Sequence, residues 1–513
     1  MQDFALTLDR FLTHAGKWHP SAGVITAAPD GTTTRIGYAE LETRARAISA
    51  ALVAQGIGVG DHVATLAWNS QAHIETWYAI MGIGAACHTL NPRLTAEQLA
   101  DMLAQSQARI VVASADLIPL AQAVAALMDT PPRLLSIDGA AAVEALDGLV
   151  EPGACADWGR FDERTPSGLC FTSGTTGRPK GVTYTHRACF LHTLRSLQAD
   201  VMAITATDRV LAAVPMFHAN AWGLPFAVPA VGATLVLPGR STDGASLARL
   251  IEAEGVTIAV GVPTVWLGLV EHLDRTGGDV PSLKRVIVGG APMPPALMER
   301  LERRLGVTVQ TSWGMTELSP AGTFAPPDLA DRQAISSGRP AIGIDLLLTD
   351  AEGNALDQQR GVEGHLRVRG AAVVERYFGQ SEAATDADGW FATGDLARIG
   401  PDGDLTITGR AKDLIKSGGE WINPAEIEGV VGALPQVSMA AVIGRSDVKW
   451  GERPILVVEL RDGQEIGDDT LLASLRGRVA PWWIPDAVVR LPAMPLAVTG
   501  KIDKLRLRAE HGQ

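Results

Sequence analysis

Apolar positions recur at helical spacing over Leu41, Ala45, Ile48 and Leu52, and Gly56 stands where such a helix would stop. Residues 63–67 and 110–113 are short apolar runs of strand length. Between them, Thr95 and Gln98 have the spacing of a capping box that opens another helix. Strands separated by helices predict parallel sheets with helices packed on their faces. Further along the pattern changes. Residues 346–349, 364–369 and 404–408 alternate or cluster apolar side chains between Asp-Gly and Glu-Gly turns, as in an antiparallel subdomain. Past Gly409-Arg410 a short polar, glycine-containing stretch leads into a helical pattern over 425–434 and strands over 440–443 and 455–460. The fold class read from these patterns is α/β. A large N-terminal domain of parallel α/β sheets with a small antiparallel β subdomain, residues 1–409, precedes a small α+β C-terminal domain, residues 410–513.

Length and composition narrow this picture. A chain of 513 residues is too long for one core, and 46% hydrophobic with 20% charged residues describes an ordinary folded protein. A net charge of −13 argues against a nucleic-acid partner. Cys87, Cys155, Cys170 and Cys189 have neither metal-ligand spacing nor a CxxC pair; Cys87 and Cys170 sit in apolar runs and read as buried thiols. A reducing compartment, the cytoplasm, is expected, and the first ten residues carry no export signal. Residues 210–239 lack any Asp, Glu, Lys or Arg, long enough to span a bilayer. Pro215, Pro225, Pro229 and Pro238, with Gly223 and Gly232, would break such a helix, so the segment reads as buried strands and a short helix lining a pocket.

The chemistry is concentrated in a few segments. Residues 171–181, Phe-Thr-Ser-Gly-Thr-Thr-Gly-Arg-Pro-Lys-Gly, follow the apolar run 168–171. They read as a strand ending in a flexible loop whose amides, hydroxyls and ammonium converge on polyanionic oxygen. This is not a Walker loop, because Gly181 follows Lys180 where a metal-holding Ser or Thr would be needed. Val288-Gly289-Gly290-Ala291-Pro292 follows another strand, and its glycines let a planar ring approach the backbone. In Ser312-Trp313-Gly314-Met315-Thr316-Glu317, which follows a strand over 307–310, Trp313 offers a stacking face, Thr316 a hydroxyl and Glu317 a hard oxygen ligand for Mg²⁺. Asp395 could accept from two hydroxyls and Arg410 donate to a hydroxyl or phosphate. HExxH, GxSxG and metal-spaced Cys/His clusters are absent from the sequence.

Thr172-Ser173-Gly174-Thr175-Thr176-Gly177-Arg178-Pro179-Lys180-Gly181 resembles the phosphate-binding signature of the adenylate-forming enzymes: acyl-CoA synthetases, luciferases and peptide-synthetase adenylation domains. The resemblance runs from about residue 30 to Lys504. It implies ATP contacts at Thr172, Ser173, Gly174, Thr175, Thr176 and Gly177, with Lys180 catalytic and Thr176 beside Glu317 at Mg²⁺. It further implies an adenine-binding segment at Gly290, Ala291 and Pro292. Ser312, Trp313, Gly314, Met315 and Thr316 match the family's Tyr-Gly-x-Thr-Glu motif with Trp for Tyr, and Asp395 with Arg410 match its ribose-binding pair. Lys412 falls at the family's hinge. Lys416, Ser417, Gly418, Gly419, Glu420 and Trp421 match the loop that swings inward for thioester formation, and Lys501, in Pro-Leu-Ala-Val-Thr-Gly-Lys, matches the catalytic lysine.

The acid-binding side resembles fatty acyl-CoA synthetases. Residues 214–222, Val-Pro-Met-Phe-His-Ala-Asn-Ala-Trp, place His218 and Trp222 at an apolar centre, and in that group Trp222 corresponds to a gate of the acyl tunnel. Val262 and Trp266 supply a second apolar wall. Neither segment offers an aspartate for an ammonium group, so an apolar acid tail is favoured. The resemblance implies an ATP-, Mg²⁺- and CoA-dependent ligase of medium-chain fatty or similar branched, thioether or aryl-substituted acids, working through an acyl-adenylate; it also implies a homodimer. A stand-alone enzyme loading an acyl carrier protein shares the first half-reaction, although the chain ends soon after Lys501. A non-catalytic nucleotide-binding protein would be expected to lose Lys501, Glu317 or Lys180.

Overall fold

In the computed structural model, residues 2–140, 142–172, 179–329, 332–418, 420–497 and 501–512 are described. Two large sheets carry the first two thirds of the chain. One runs in the order Arg133–Ser136, Ile110–Ala113, His62–Leu66, Ala86–Thr89, Pro166–Thr172, Lys180–Thr185, parallel except for the last pair. The other has nine strands; six, from Thr308–Gly314 through to Gly23–Ala27, are mutually parallel. The helix Tyr38–Ala54 buries Leu41, Ala45, Ile48 and Leu52, the face its periodicity selects, in a core shared by both sheets. Burying each Leu or Ile contributes about 1.5–3 kcal/mol. The capping box at Thr95 closes in both directions through Gln98. Helices Gly244–Glu254, Pro263–Thr276 and Pro295–Leu305 build a separate core against the nine-stranded sheet.

The antiparallel expectation holds: Ile344–Thr349, Glu363–Gly370, Phe391–Ile399 and Leu405–Arg410 form a four-stranded meander. The chain leaves that sheet at Arg410, and after a short turn at Ala411–Asp413 it enters a five-stranded sheet with its own two cores. The uncharged segment resolves into the strands Arg209–Ala212 and Thr234–Leu237 around the helix Leu224–Ala230. Among the described residues, no helix is long and apolar enough to cross a membrane.

Candidate active site

The segment matched to phosphate binding follows the strand Pro166–Thr172 and precedes its antiparallel partner Lys180–Thr185, with Thr172 paired to Lys180. Ser173, Gly174, Thr175, Thr176 and Gly177 lie outside the described residues, as does Gly419. The return strand at Lys180 went unread in the sequence, because its Lys-Gly-Val-Thr-Tyr-Thr run alternates too weakly to stand out.

The strand Thr308–Gly314 extends through Ser312-Trp313-Gly314 instead of stopping at Gln310, since Ser312–Gly314 pairs with the antiparallel strand Ala321–Phe324. The Ser312 hydroxyl donates to the Val288 carbonyl at 2.9 Å. A side chain on Gly289 would sit 2.5 Å from that hydroxyl and 3.0 Å from the Trp222 ring, so only glycine lets these segments close up. Gly290, at φ +77°, has Val262 and Trp222 as its nearest neighbours, and Ala291 and Pro292 continue the turn. The segment matched to adenine binding thus packs directly against Trp222 and Val262, residues matched to the acyl wall.

Trp313 is largely buried, with Gly322 against its ring, and its indole N–H donates to Asp395 Oδ2 at 3.0 Å. Asp395 Oδ1 pairs with Arg410 Nε at 2.8 Å across paired strands. Burial pushes the Asp395 carboxyl above its usual range, opposed by Arg410, the Trp313 hydrogen bond and Lys501. Met315 packs on the shared core, and Thr316 and Glu317 are buried in the turn that follows.

That turn is held from behind by residues the sequence did not reveal. Tyr184 donates to the Thr316 carbonyl at 2.9 Å, and Arg195 to the Leu318 and Ala321 carbonyls at 3.4 and 2.5 Å. His192 Nε2 accepts from the Ala321 amide at 3.2 Å. Burial lowers Arg195 to about 10, because carbonyls and not a carboxylate receive its charge. From the front, Tyr377 donates to Glu317 Oε1 at 2.9 Å, and Lys180 Nζ lies 4.9 Å from the Tyr377 ring centroid. These partners come from segments far apart in the chain, and no local motif could have signalled them.

On the acyl side, Ala219, Asn220, Ala221 and Trp222 form a left-handed turn with φ between 45° and 56°. Each non-glycine residue in that region costs about 1–2 kcal/mol, a strain that concentrates at functional sites. His218, just before the turn, is held neutral with its pKa pushed down to about 4 by burial, Lys501 adding to the effect. Trp266 departs from the expected arrangement. It lies on the same helical face as Leu269, Val270 and Leu273, which packs onto the sheet, so it is fully buried in that core instead of sharing the group formed by Trp222 and Val262.

The C-terminal residues close the site. The Ala497 amide donates to the Lys501 carbonyl at 2.7 Å, and Leu496 bridges to Ile502 beside it. Its chain is solvent-accessible, yet the surrounding protein desolvates the ammonium and lowers its pKa; Arg410 and Lys412 act in the same sense, Asp395 and Glu317 against. Lys501 therefore lies within electrostatic reach of groups from three other segments. Lys412, in the turn at Ala411–Asp413, is likewise lowered by burial, which Asp413 opposes and Arg410, Arg508 and Lys504 reinforce. Lys416, Ser417, Glu420 and Trp421 lie on two paired antiparallel strands: Lys416 sits over the exposed Trp421 ring, and Ser417 is buried against Arg453. Gly418, at φ +61°, donates to the Trp450 carbonyl, and any side chain there would strike the Trp450 ring. Its glycine is explained by close packing as well as by conformational freedom.

Comparison with known proteins agrees with this geometry. A family model described as AMP-binding enzyme matches residues 12–378, and one for the AMP-binding enzyme C-terminal domain matches 426–501. A 3-methylmercaptopropionyl-CoA ligase of Ruegeria lacuscaerulensis is 40% identical over 98% of this chain and 97% of its own. A medium-chain-fatty-acid–CoA ligase of Ectopseudomonas oleovorans is 39% identical over 99% and 96%. Among solved structures, ATP-bound MatB from Rhodopseudomonas palustris superposes with a TM-score of 0.87 at 27% identity, covering 99% of both chains. The apo form of that protein, at the same identity and coverage, gives 0.77.

Proposed function

The chain belongs to the AMP-binding enzyme family, and on that premise we propose that it is an AMP-forming acid–CoA ligase acting on an apolar carboxylic acid. The observation that carries this reading is the presence of Lys501, from the C-terminal region, within electrostatic reach of Asp395, Arg410 and Glu317. A cation there can steady the charge that grows as a carboxylate oxygen attacks the α-phosphorus of ATP. The bond to the β-phosphate breaks, pyrophosphate leaves and an acyl-adenylate remains. Asp395 and Arg410 bind the ribose, and the 289–292 segment receives adenine. Among the described residues no cluster of three carboxylate, His or Cys groups could cage a metal alone. A single buried carboxylate, Glu317, with the phosphates completing the shell, suits Mg²⁺, which supplies charge neutralisation at the phosphates; Thr176 is the second candidate ligand.

In the second half-reaction the C-terminal domain, residues 410–513, turns about Lys412. It withdraws Lys501 and brings in the Lys416–Trp421 hairpin, so one cleft serves two chemistries. The CoA thiolate, its proton lost, attacks the acyl carbon and AMP leaves. Trp222 limits the acyl tunnel and Val262 lines it, which favours a medium-chain fatty acid or a branched, thioether or aryl-substituted alkanoate. Activity in the cytoplasm, as a homodimer, completes the proposal. The test is pyrophosphate release from MgATP over a panel of such acids, with and without CoA. CoA-dependent formation of AMP and an acyl-CoA is the expected result; adenylate formation indifferent to CoA would point to a carrier-protein acceptor, and no release with any acid would overturn the reading.

A further inference from the structure

Two backbone contacts and one side-chain contact join the antiparallel subdomain to the two motifs matched to phosphate and metal binding. The Ser319 hydroxyl donates to the Ala372 carbonyl at 2.9 Å, the Val374 amide to the Glu317 carbonyl at 2.7 Å, and the Phe378 amide to the Gly181 carbonyl at 2.7 Å. Val182 and Tyr377 form a bridge beside the last of these. A side chain at Gly181 would come within 2.9 Å of Phe378 Cβ, so the glycine after Lys180 is what lets the strap 372–378 lie down on the strand. This strap delivers one side chain, Tyr377, to the space between Lys180 and Glu317.

Tyr377 meets each charge with a different part of itself. Its hydroxyl donates to Glu317 Oε1 at 2.9 Å, and its ring faces the Lys180 ammonium at 4.9 Å from the centroid. A lysine and a carboxylate this close to a common neighbour would gain by pairing directly, and a direct pair would take the cation from phosphate and the anion from metal. A phenol prevents that without adding charge. It fixes one oxygen of the carboxylate by a charge-assisted hydrogen bond and leaves the other free, and it holds the ammonium by a cation–π contact that leaves its N–H groups free.

We propose that Tyr377 is a positioning residue for MgATP, holding Glu317 and Lys180 apart and oriented. This rests on the nucleotide reading of the site given above, and on no particular acid or acceptor.

The experiment is calorimetric titration of the full-length chain with MgATP and, separately, with metal-free AMP. Tyr377→Phe keeps the ring and removes the hydroxyl; MgATP should bind ~10-fold more weakly, as expected for one lost hydrogen bond to a charge, while AMP changes less than ~2-fold. Tyr377→Leu also removes the ring and should cost MgATP a further ~3-fold. Tyr377→Phe binding MgATP like the parent overturns the proposal, and so does equal weakening of MgATP and AMP, which would mark a merely structural role. Tyr377→Leu no weaker than Tyr377→Phe overturns the part assigned to the ring. The titrations use neither acid nor CoA, so a parent chain that binds nucleotide but makes no acyl-CoA would defeat the ligase reading and leave this one standing. Failure of the parent to bind nucleotide would overturn both.

Discussion

The two sides of the cleft are built differently. The turn carrying Glu317 is gripped by Tyr184, Arg195 and His192 from behind and by Tyr377 and the strap 372–378 in front, and Trp313 is tied to Asp395. Residues after 409 supply the other side: Lys501, whose ammonium the surrounding protein desolvates, and Trp421, which is 54% exposed. Groups that both half-reactions would use sit in a clamped floor; groups that one half-reaction would use sit on the cover formed by residues after 409. Precision in the floor comes from buried hydrogen bonds, which are costly to break singly, and exchange of the cover requires that little be broken.

Acid should separate the two sides most strongly. His73 and His218 have pKa values pushed down to about 4, and His88 and His186 to about 3, by burial; His192 is also well below its ordinary value. Because each folded pKa lies below the unfolded one of about 6.5, the unfolded chain binds more protons in between, and stability falls as pH drops from 6.5 towards 4. Each such histidine contributes about 1.4 kcal/mol per pH unit in that window. All of them belong to the floor's side, and the only histidine after residue 409 is His511. Hydrogen exchange at pH 5 should show the region before residue 409 losing protection first; uniform loss would break the contrast.

Mutations sharpen the comparison by smaller steps. Lys501→Ala should lower adenylate formation about 10²–10³-fold, the scale for one positioned charge, with the melting temperature unchanged. Thioester formation from supplied acyl-adenylate should stay within ~2-fold; equal loss of both half-reactions would remove the role given to Lys501. Arg195→Met leaves the Leu318 and Ala321 carbonyls unpaired and should destabilise the fold by about 2–4 kcal/mol, slowing both half-reactions together. Denaturant unfolding checks the first effect, and rates of the two half-reactions check the second. Trp222→Ala should shift the preferred acid by about 1–3 kcal/mol in kcat/KM towards longer or bulkier tails. An unchanged chain-length profile would take Trp222 out of the gate.

How far these features could be read in advance depended on how local they are. The helix at Tyr38–Ala54, the capping box at Thr95 and the antiparallel meander are periodic or adjacent in sequence, and each formed where its pattern pointed. The motifs around Lys180, Glu317, Asp395 and Lys501 were legible because dense glycine, hydroxyl and charge patterns are rare in a core. Trp266 was misplaced because an apolar run does not say which side of a sheet its side chains will meet, and the register of Pro263–Thr276 settled that.

What the sequence by itself determined is the set of elements and the chemical inventory: a strand-and-helix alternation, a Gly- and Thr-rich segment before Lys180, a carboxylate at 317 and a lysine at 501. Only the tertiary structure decided who holds whom. Arg195 lies 123 residues from the Leu318 carbonyl it supports, Tyr377 60 from Glu317, and Asp395 82 from Trp313. The physical reason is that hydropathy and propensity act along a few neighbouring residues, whereas a buried donor must find its acceptor wherever the packing of sheets and helices brings one.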